Sequence, residues 1–115
     1  IANVLWINEY PDYEADKAGS KRNLVVCLGK QRAVWGYGAL FALSGLAAAA
    51  AAVFARTPVW LLPLLNAPTA VSAVRNCRLN HGDIEKLVAS NAATVNIYLR
   101  AGALFSAAAV LDVLI

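Results

Sequence analysis

Two aspartates, Asp12 and Asp16, lie four residues apart in a short polar segment of an otherwise apolar chain. If this segment is helical, the two side chains share one face with Cβ atoms about 5–6 Å apart, and their negative charges repel. A cation between them would relieve that repulsion. Hard divalent cations take one or two carboxylates and complete their shell with water and phosphate oxygens. The spacing therefore predicts a site for a divalent metal.

Three strong cations, Lys17, Lys21 and Arg22, follow the acidic pair. Lysine and arginine form charge-assisted hydrogen bonds with phosphate oxygens, so these residues are predicted to bind a phosphorylated ligand. An alternative role is control of membrane topology, and the two roles are compatible. A second alternative for the whole segment is a solvated connector with no binding function.

The composition indicates a membrane protein. Hydrophobic residues make up 60% of the chain and charged residues 15%, and the mean hydropathy is +0.57, which is more apolar than an average soluble domain. The net charge is +3, but no basic stripe interleaved with aromatic residues is present, so we predict no nucleic-acid partner. The predicted surroundings are a lipid bilayer.

Long stretches without charge predict the elements that position the polar segment. Residues 33–55 are uncharged and span about 35 Å as a helix, enough for a hydrocarbon core of about 30 Å. Residues 57–74 contain three prolines and are predicted to form a kinked or partly unwound transmembrane helix. Residues 92–115 form a third span, and residues 1–9 are the end of an earlier helix because Pro11 disfavours helical geometry before it.

The remaining residues, 10–32 and 75–91, are predicted to be loops on the same side of the membrane. That side would carry eight lysines and arginines and the other only Arg56, so the positive-inside rule places the loops in the cytoplasm and the chain in the cytoplasmic (inner) membrane. Cys27 and Cys77 show no metal-finger spacing and suit a reducing compartment. Because the chain begins without methionine and ends in an apolar run, we expect a piece of a longer protein.

The pattern Asn8-x-x-x-Asp12-x-x-x-Asp16-Lys17, followed by Lys21-Arg22-Asn23-Leu24, resembles the second aspartate-rich motif of the UbiA superfamily of intramembrane prenyltransferases. Residues 9–17, Glu-Tyr-Pro-Asp-Tyr-Glu-Ala-Asp-Lys, are most similar to the menaquinone branch, whose members prenylate 1,4-dihydroxy-2-naphthoate. Residues 87–94 and the span after them are similar to the last helix of the family.

The resemblance implies an all-α membrane bundle of nine helices around a central cavity, of which this chain would be the carboxy-terminal part. In that family two aspartate motifs face each other across the cavity mouth and bind magnesium (Mg²⁺), which binds the diphosphate of a polyprenyl donor. Asp12 and Asp16 would be catalytic metal ligands, with Asn8 as a neutral oxygen donor or orienter of bound water. Lys17, Lys21 and Arg22 would bind diphosphate. Only the second motif is present, so the chain alone is expected to be inactive.

The function implied by the resemblance is Mg²⁺-dependent transfer of a polyprenyl group from prenyl diphosphate to an aromatic quinone precursor. The acceptor favoured by motif similarity is 1,4-dihydroxy-2-naphthoate, in menaquinone biosynthesis. Two alternatives stay open. One is a family enzyme with another acceptor, such as 4-hydroxybenzoate, and the other is a non-catalytic membrane helical fragment or packing partner.

Several residues of the predicted spans have open roles. Arg100 is expected to extend to the membrane surface or, alternatively, to reach the cavity. Asn66 and Pro68 are candidates to face the cavity, with a purely structural role as the alternative. Trp35 and Tyr37 are interpreted as interface anchors or, alternatively, as aromatic rings that line the cavity.

Overall fold

The computed structural model describes residues 1–115, of which 85% are helical, and it contains no strand. This confirms the all-α fold class. The helical elements, in chain order, are α1 (Ala2–Asn8), α2 (Tyr13–Ala18), α3 (Leu24–Leu28), α4 (Lys30–Ala55), a 3₁₀ helix (Pro58–Asn66), α5 (Ala67–Asn80) and α6 (Ile84–Leu114).

Two of these helices, α4 with 26 residues and α6 with 31, are long and apolar enough to cross a membrane. Their most apolar windows are only 6% and 11% buried within the chain, unlike the core helix of a soluble domain. Large apolar side chains such as Phe54, which is 87% exposed, cover their outer surfaces. Contiguous exposed apolar surface of this kind marks contact with lipid or with other protein.

The helices begin and end at different residues from those predicted. The predicted span 33–55 begins three residues earlier, at Lys30, and the span predicted to begin at residue 92 begins at Ile84. The predicted loop 75–91 is wrong as a loop, because only residues 81–83 lie outside helices. Asp83 starts α6 by accepting a 3.2 Å hydrogen bond from the Lys86 amide. Charged residues mark the edge of the apolar region, and the helices continue beyond it.

The predicted transmembrane helix 57–74 is also wrong as a single element. Thr57 caps a nine-residue 3₁₀ helix that contains Pro63, and α5 follows it directly. Proline has no N–H for the helical ladder and clashes with the preceding turn, so it interrupts the α-helix. The partial unwinding predicted for this segment is confirmed, whereas neither half alone is long enough to cross a bilayer.

Antiparallel packing of α1 on α4 begins the bundle. The Trp6 indole Nε1 donates to the Ala33 carbonyl at 2.9 Å, and the Tyr10 hydroxyl donates to the Lys30 carbonyl at 2.9 Å. The Trp6 ring lies directly on Gly36, where a Cβ atom would be only 2.3 Å from Trp6 Cζ2. A glycine at position 36 is therefore what lets the two helices approach.

A second antiparallel pair is formed by α5 and α6. Ser90 Oγ donates to the Ala73 carbonyl at 2.9 Å, and Asn76 Nδ2 donates to the Lys86 carbonyl at 2.9 Å and to Ser90 Oγ at 2.8 Å. These contacts place the end of α5 beside the start of α6. Buried polar groups between apolar helices need such partners, and here they fix the register of the pair.

The ends of α1 and α5 and the starts of α4 and α6 meet at one end of the bundle, which we call the polar end. Tyr10, which follows α1, contacts Lys30 on α4 and Cys77 on α5, and the side chain of Asn8 at the end of α1 accepts a hydrogen bond from Asn91 on α6. The eight lysines and arginines that were assigned to one side all belong to these ends or to the segment between α1 and α4. Arg56 lies at the other end, where Trp60 Nε1 donates to the Asp112 carboxylate at 3.2 Å.

Candidate functional site

The aspartate segment, residues 8–23, lies at the polar end between α1 and α3. Asp12 immediately precedes α2, and the Asp16 amide donates to the Asp12 carbonyl at 2.8 Å. The two aspartates are therefore on one helical turn, as their spacing predicts. The Asp12 side chain is exposed and has no ion pair or hydrogen bond within the chain, so its carboxylate is free to bind a ligand.

Asp16 is held by neighbours from the same segment. Its Oδ2 accepts a 2.8 Å hydrogen bond from Asn23 Nδ2 and forms a 3.2 Å ion pair with Lys21 Nζ, and the side chain is only 13% exposed. Ser20 takes a left-handed backbone conformation, φ 58°, which turns the chain so that Lys21 returns to Asp16. The cation expected beside the acidic pair is thus, in part, supplied by the chain itself.

The other predicted ligands are less close to the aspartates. The Asn8 side-chain oxygen accepts a hydrogen bond from Asn91 on α6, which ties the start of the segment to the bundle. Lys17 Nζ lies 5.9 Å from the centre of the Tyr13 ring. Arg22 is exposed and has no ion pair. Lys21 is therefore the one predicted diphosphate-binding residue that forms an ion pair with a predicted metal ligand.

Glu9 is a further candidate in the segment, one that the spacing of the aspartates did not indicate. Its Oε2 is buried and has no hydrogen-bond partner. A buried carboxylate oxygen without a partner is costly, so it marks a place where a cation, a proton donor or water binds. No spacing rule points to Glu9, because burial of a side-chain oxygen depends on tertiary packing.

Tyr10 and Cys77 anchor the segment to α5. Tyr10 is buried, and its burial together with the adjacent Cys77 thiol raises the pKa of the phenol well above its usual range. Burial likewise raises the pKa of the Cys77 thiol. Both groups stay neutral near neutral pH, so they provide packing and position and add no charge to the site.

The oxygen donors of the segment fit Mg²⁺. Asp12 has a free carboxylate and Glu9 an unpartnered buried oxygen, and both are the hard ligands that Mg²⁺ prefers. No group of three or more histidine, cysteine or acidic side chains gathers in a way that could hold a metal. An ion that takes one or two carboxylates and keeps several waters is the kind this donor set suits.

A cavity of about 820 Å³ lies between α1, α4, the 3₁₀ helix, α5 and α6. Its lining is mainly apolar and includes Phe41, Leu64, Ile97 and Phe105. One face of α5, together with its N-cap residue Asn66, lines the cavity at helical spacing. Polar side chains lie only at the two ends of this stripe, whose residues are Asn66, Ala67, Ala70, Val71, Val74, Arg75 and Arg78.

The two ends of this stripe differ in chemistry. Arg75 and Arg78 lie in the last two turns of α5 and therefore at the polar end of the bundle, whereas none of residues 8–23 lines the cavity. Asn66 lies twelve residues before Arg78, about 18 Å away along α5. The cavity therefore joins a cationic mouth to an apolar interior.

Asn66 lines the interior of the cavity, as predicted, whereas Pro68 does not. Asn66 is only 6% exposed, and its Nδ2 has no hydrogen-bond partner. It occupies the N-cap position of α5 without capping the helix. An N-cap side chain usually accepts a hydrogen bond from the backbone amide two or three residues later. Pro68, two residues after Asn66, has no amide hydrogen, so one of these two donors is absent.

Three other candidates for cavity contact lie elsewhere. Trp35 is exposed on the outer surface, and the buried Tyr37 hydroxyl pairs with Thr94 between α4 and α6. Arg100 is exposed on α6 and does not line the cavity. None of the three lines this cavity, although Tyr37 contacts Phe41 and Thr94, which do.

The arginines of α5 were missed as site residues because they were assigned to a cytoplasmic loop. The signal was nevertheless present: Arg75 and Arg78 continue the spacing of Ala70, Val71 and Val74 on one helical face. Reading residues 67–80 as one helix would have grouped them.

No protein-family model matches the chain, and comparisons with curated proteins and with solved structures give no match either.

Proposed function

We propose that this chain forms part of a UbiA-type membrane enzyme that transfers a polyprenyl group from prenyl diphosphate to an aromatic acceptor in an Mg²⁺-dependent reaction. The acceptor that the motif favours is 1,4-dihydroxy-2-naphthoate, and 4-hydroxybenzoate is the next candidate. The observation that carries the proposal is the large apolar cavity with two arginines at one end, which is the end of the bundle that also carries the aspartate segment. This combination suits a substrate with a long apolar chain and an anionic head.

The apolar walls would bind the polyprenyl chain. Burial of hydrocarbon is worth about 0.8 kcal/mol for each CH₂ group, so a chain of several isoprene units gains most of its affinity there. Side chains from α4, α5 and α6 supply these walls without any reactive group, among them Phe41, Val71 and Ile97. The cavity thus suits binding and orientation of a hydrocarbon chain, and the charged residues at the polar end would bind the reacting diphosphate.

The aspartate segment would bind the diphosphate. Asp12 and Asp16 are the residues that would hold Mg²⁺, which, when bound, would stabilise negative charge on the departing diphosphate. Lys21 is largely exposed and forms a single ion pair, so it can turn from Asp16 to a phosphate oxygen at small cost. Lys17 and Arg22 are exposed in the same segment and can add charge at the mouth.

A second candidate function is that of a non-catalytic membrane helical fragment or packing partner. The surroundings of Asp16 favour this candidate. Lys21 forms an ion pair with its carboxylate and Asn23 donates a hydrogen bond to it, so no metal is needed to balance its charge. In that case the segment is a folded connector whose charges stabilise one another.

Prenyl transfer by the full-length protein in nanodiscs separates the two candidates. The assay uses Mg²⁺, radiolabelled geranylgeranyl diphosphate and a panel of aromatic acceptors. Asp12→Asn or Asp16→Asn should lower kcat/KM by about 100-fold or more, since each removes a carboxylate that would hold the Mg²⁺ on which stabilisation of the departing diphosphate depends. Glu85→Gln is the matched control, because Glu85 is an exposed carboxylate at the same end of the bundle. Activity that survives both aspartate changes would refute the proposal.

A further inference from the structure

Lys30, the first residue of α4, contacts the aspartate segment on both sides of Asp12 in the chain. Before Asp12, the buried Tyr10 hydroxyl donates to the Lys30 carbonyl at 2.9 Å. After Asp12, Lys30 Nζ lies 3.7 Å from the Glu14 carboxylate and 5.0 Å from the centre of the Tyr13 ring. The backbone that carries Asp12 is therefore attached to one residue of the bundle at two points.

The surroundings of the Lys30 ammonium suit it to hold the segment in place. The Lys30 side chain is only 20% exposed, whereas the Glu14 side chain is 77% exposed, so the lysine is held by the bundle and the glutamate reaches it from the solvent side. An ammonium within about 6 Å of an aromatic ring centre is attracted by the face of the ring, and the attraction increases as water is removed. The Lys30 side chain thus joins α2 to the start of α4.

Asp12 depends on this attachment more than Asp16 does. The Asp16 carboxylate is held directly by Asn23 and Lys21, whereas the Asp12 side chain has no hydrogen bond or ion pair within the chain. The position of the Asp12 carboxylate therefore follows from the backbone that Lys30 holds. Groups that orient a metal ligand change metal affinity even though they do not touch the metal.

We propose that Lys30 is a positioning residue for the metal site, because its carbonyl and its ammonium together fix the turn that presents Asp12. The inference rests on the proposed function and deepens it by naming a residue outside the aspartate segment that controls metal affinity. The Lys30 ammonium already faces Glu14 and the Tyr13 ring, so it acts through the segment and not as a ligand of the diphosphate. Neither Lys30 nor Tyr10 lines the cavity, so this role is separate from binding of the polyprenyl chain.

Binding of Mn²⁺, which takes the same oxygen ligands as Mg²⁺ and gives an electron paramagnetic resonance signal, tests the inference without catalysis. The full-length protein, in nanodiscs of neutral phosphatidylcholine, is titrated with Mn²⁺ in the presence of geranylgeranyl thiodiphosphate, an unreactive donor analogue. Lys30→Met removes the charge and keeps the length of the side chain, so it should weaken Mn²⁺ binding by roughly 10-fold, as for other groups that orient metal ligands. Lys30→Arg keeps a cation that can pair with a carboxylate and stack on a ring, so it should retain most of the affinity.

Two further variants separate positioning from a general loss of structure. Tyr10→Phe removes only the hydroxyl that binds the Lys30 carbonyl and should also weaken Mn²⁺ binding, while its ring continues to fill the core. It tests the same attachment even if Lys30→Met does not fold. Lys86→Met is the matched control, because Lys86 forms an ion pair with Asp83 at 3.2 Å at the same end of the bundle but outside the aspartate segment. It should leave Mn²⁺ binding unchanged.

Three results would overturn the inference. Lys30→Met and Tyr10→Phe could leave Mn²⁺ binding unchanged, or Lys30→Arg could weaken it as much as Lys30→Met does. Lys30→Met could also weaken binding of the donor analogue in the absence of metal, which would make Lys30 a direct phosphate ligand.

Asp12→Asn in the same titration separates this inference from the proposed function. Mn²⁺ binding that Asp12→Asn abolishes and that the Lys30 and Tyr10 variants do not alter refutes the positioning role and keeps the metal site. Mn²⁺ binding that is absent in the wild type, or that Asp12→Asn leaves unchanged, refutes the metal site of the proposed function and the inference with it.

Discussion

Replacement of Gly36 by alanine should destabilise the bundle, although the same change stabilises most helices. Alanine gains about 0.5–1 kcal/mol over glycine in a helix interior. At position 36, however, the new Cβ would lie 2.3 Å from Trp6 Cζ2, so the indole must move. Such overpacking costs about 1–3 kcal/mol, and loss of the 2.9 Å hydrogen bond from Trp6 to the Ala33 carbonyl costs about 0.5–1.5 kcal/mol more. The expected net destabilisation is about 0.5–4 kcal/mol.

Gly102→Ala provides the matched control, because Gly102 lies within α6 and a Cβ there meets nothing within 4 Å. It should stabilise the protein by up to about 1 kcal/mol. Subtracting the change in unfolding free energy of Gly102→Ala from that of Gly36→Ala cancels the helix-propensity contribution and leaves the effect of the clash with Trp6. Reversible unfolding in detergent, followed by tryptophan fluorescence and circular dichroism, measures both. Equal effects of Gly36→Ala and Gly102→Ala would refute the packing of Trp6 on α4 and with it the position of the aspartate segment.

Three further predictions concern single polar side chains. Asn66→Leu should raise the free energy of unfolding by about 1–3 kcal/mol, because it removes a buried amide donor without a partner; a lower thermal midpoint would show that this amide is paired in the protein. Asn23→Ala should cost about 1 kcal/mol, because Asn23 caps α3 through the Val26 amide and also holds Asp16, and chemical denaturation would measure it; unchanged stability would contradict this. The hydrogen bond from the Lys86 amide lowers the pKa of Asp83 below 3.8, so its stabilising effect is complete above that pH and is lost as the pH falls through the folded-state pKa. Thermal midpoints between pH 5 and pH 2.5 should fall less steeply for Asp83→Asn, and identical profiles would contradict the cap.

Local rules predicted much of the fold. The all-α class and the two long apolar helices follow from the hydropathy and length of uninterrupted segments. Both properties can be read from consecutive residues without knowledge of tertiary contacts. Proline placement predicted the unwinding before α5, since proline removes a hydrogen bond wherever it lies in a helix. The helix ends within residues 75–91 were predicted wrongly. Hydropathy marks where the apolar region ends, whereas α5 continues to Asn80 and α6 begins at Ile84, both in polar sequence.

The candidate site was predicted only in part. The turn shared by Asp12 and Asp16 follows from their spacing, and its backbone hydrogen bond is present. The return of Lys21 to Asp16 depends on the turn at Ser20, which no spacing rule indicates. Magnesium binding, the diphosphate contacts and the prenyl-transfer reaction remain predictions for the assays above.

The sequence by itself determined which residues are acidic, cationic or apolar, that two long apolar segments are helical, and that Asp12 and Asp16 share one turn. Only the tertiary structure decided that Glu9 has a buried oxygen without a partner and that Arg75 and Arg78 line a mainly apolar cavity. The physical reason is that burial and cavity formation depend on contacts between residues far apart in the chain, such as Tyr10 with Cys77. Helix periodicity specifies which side chains share a face, and packing against other helices specifies what that face meets.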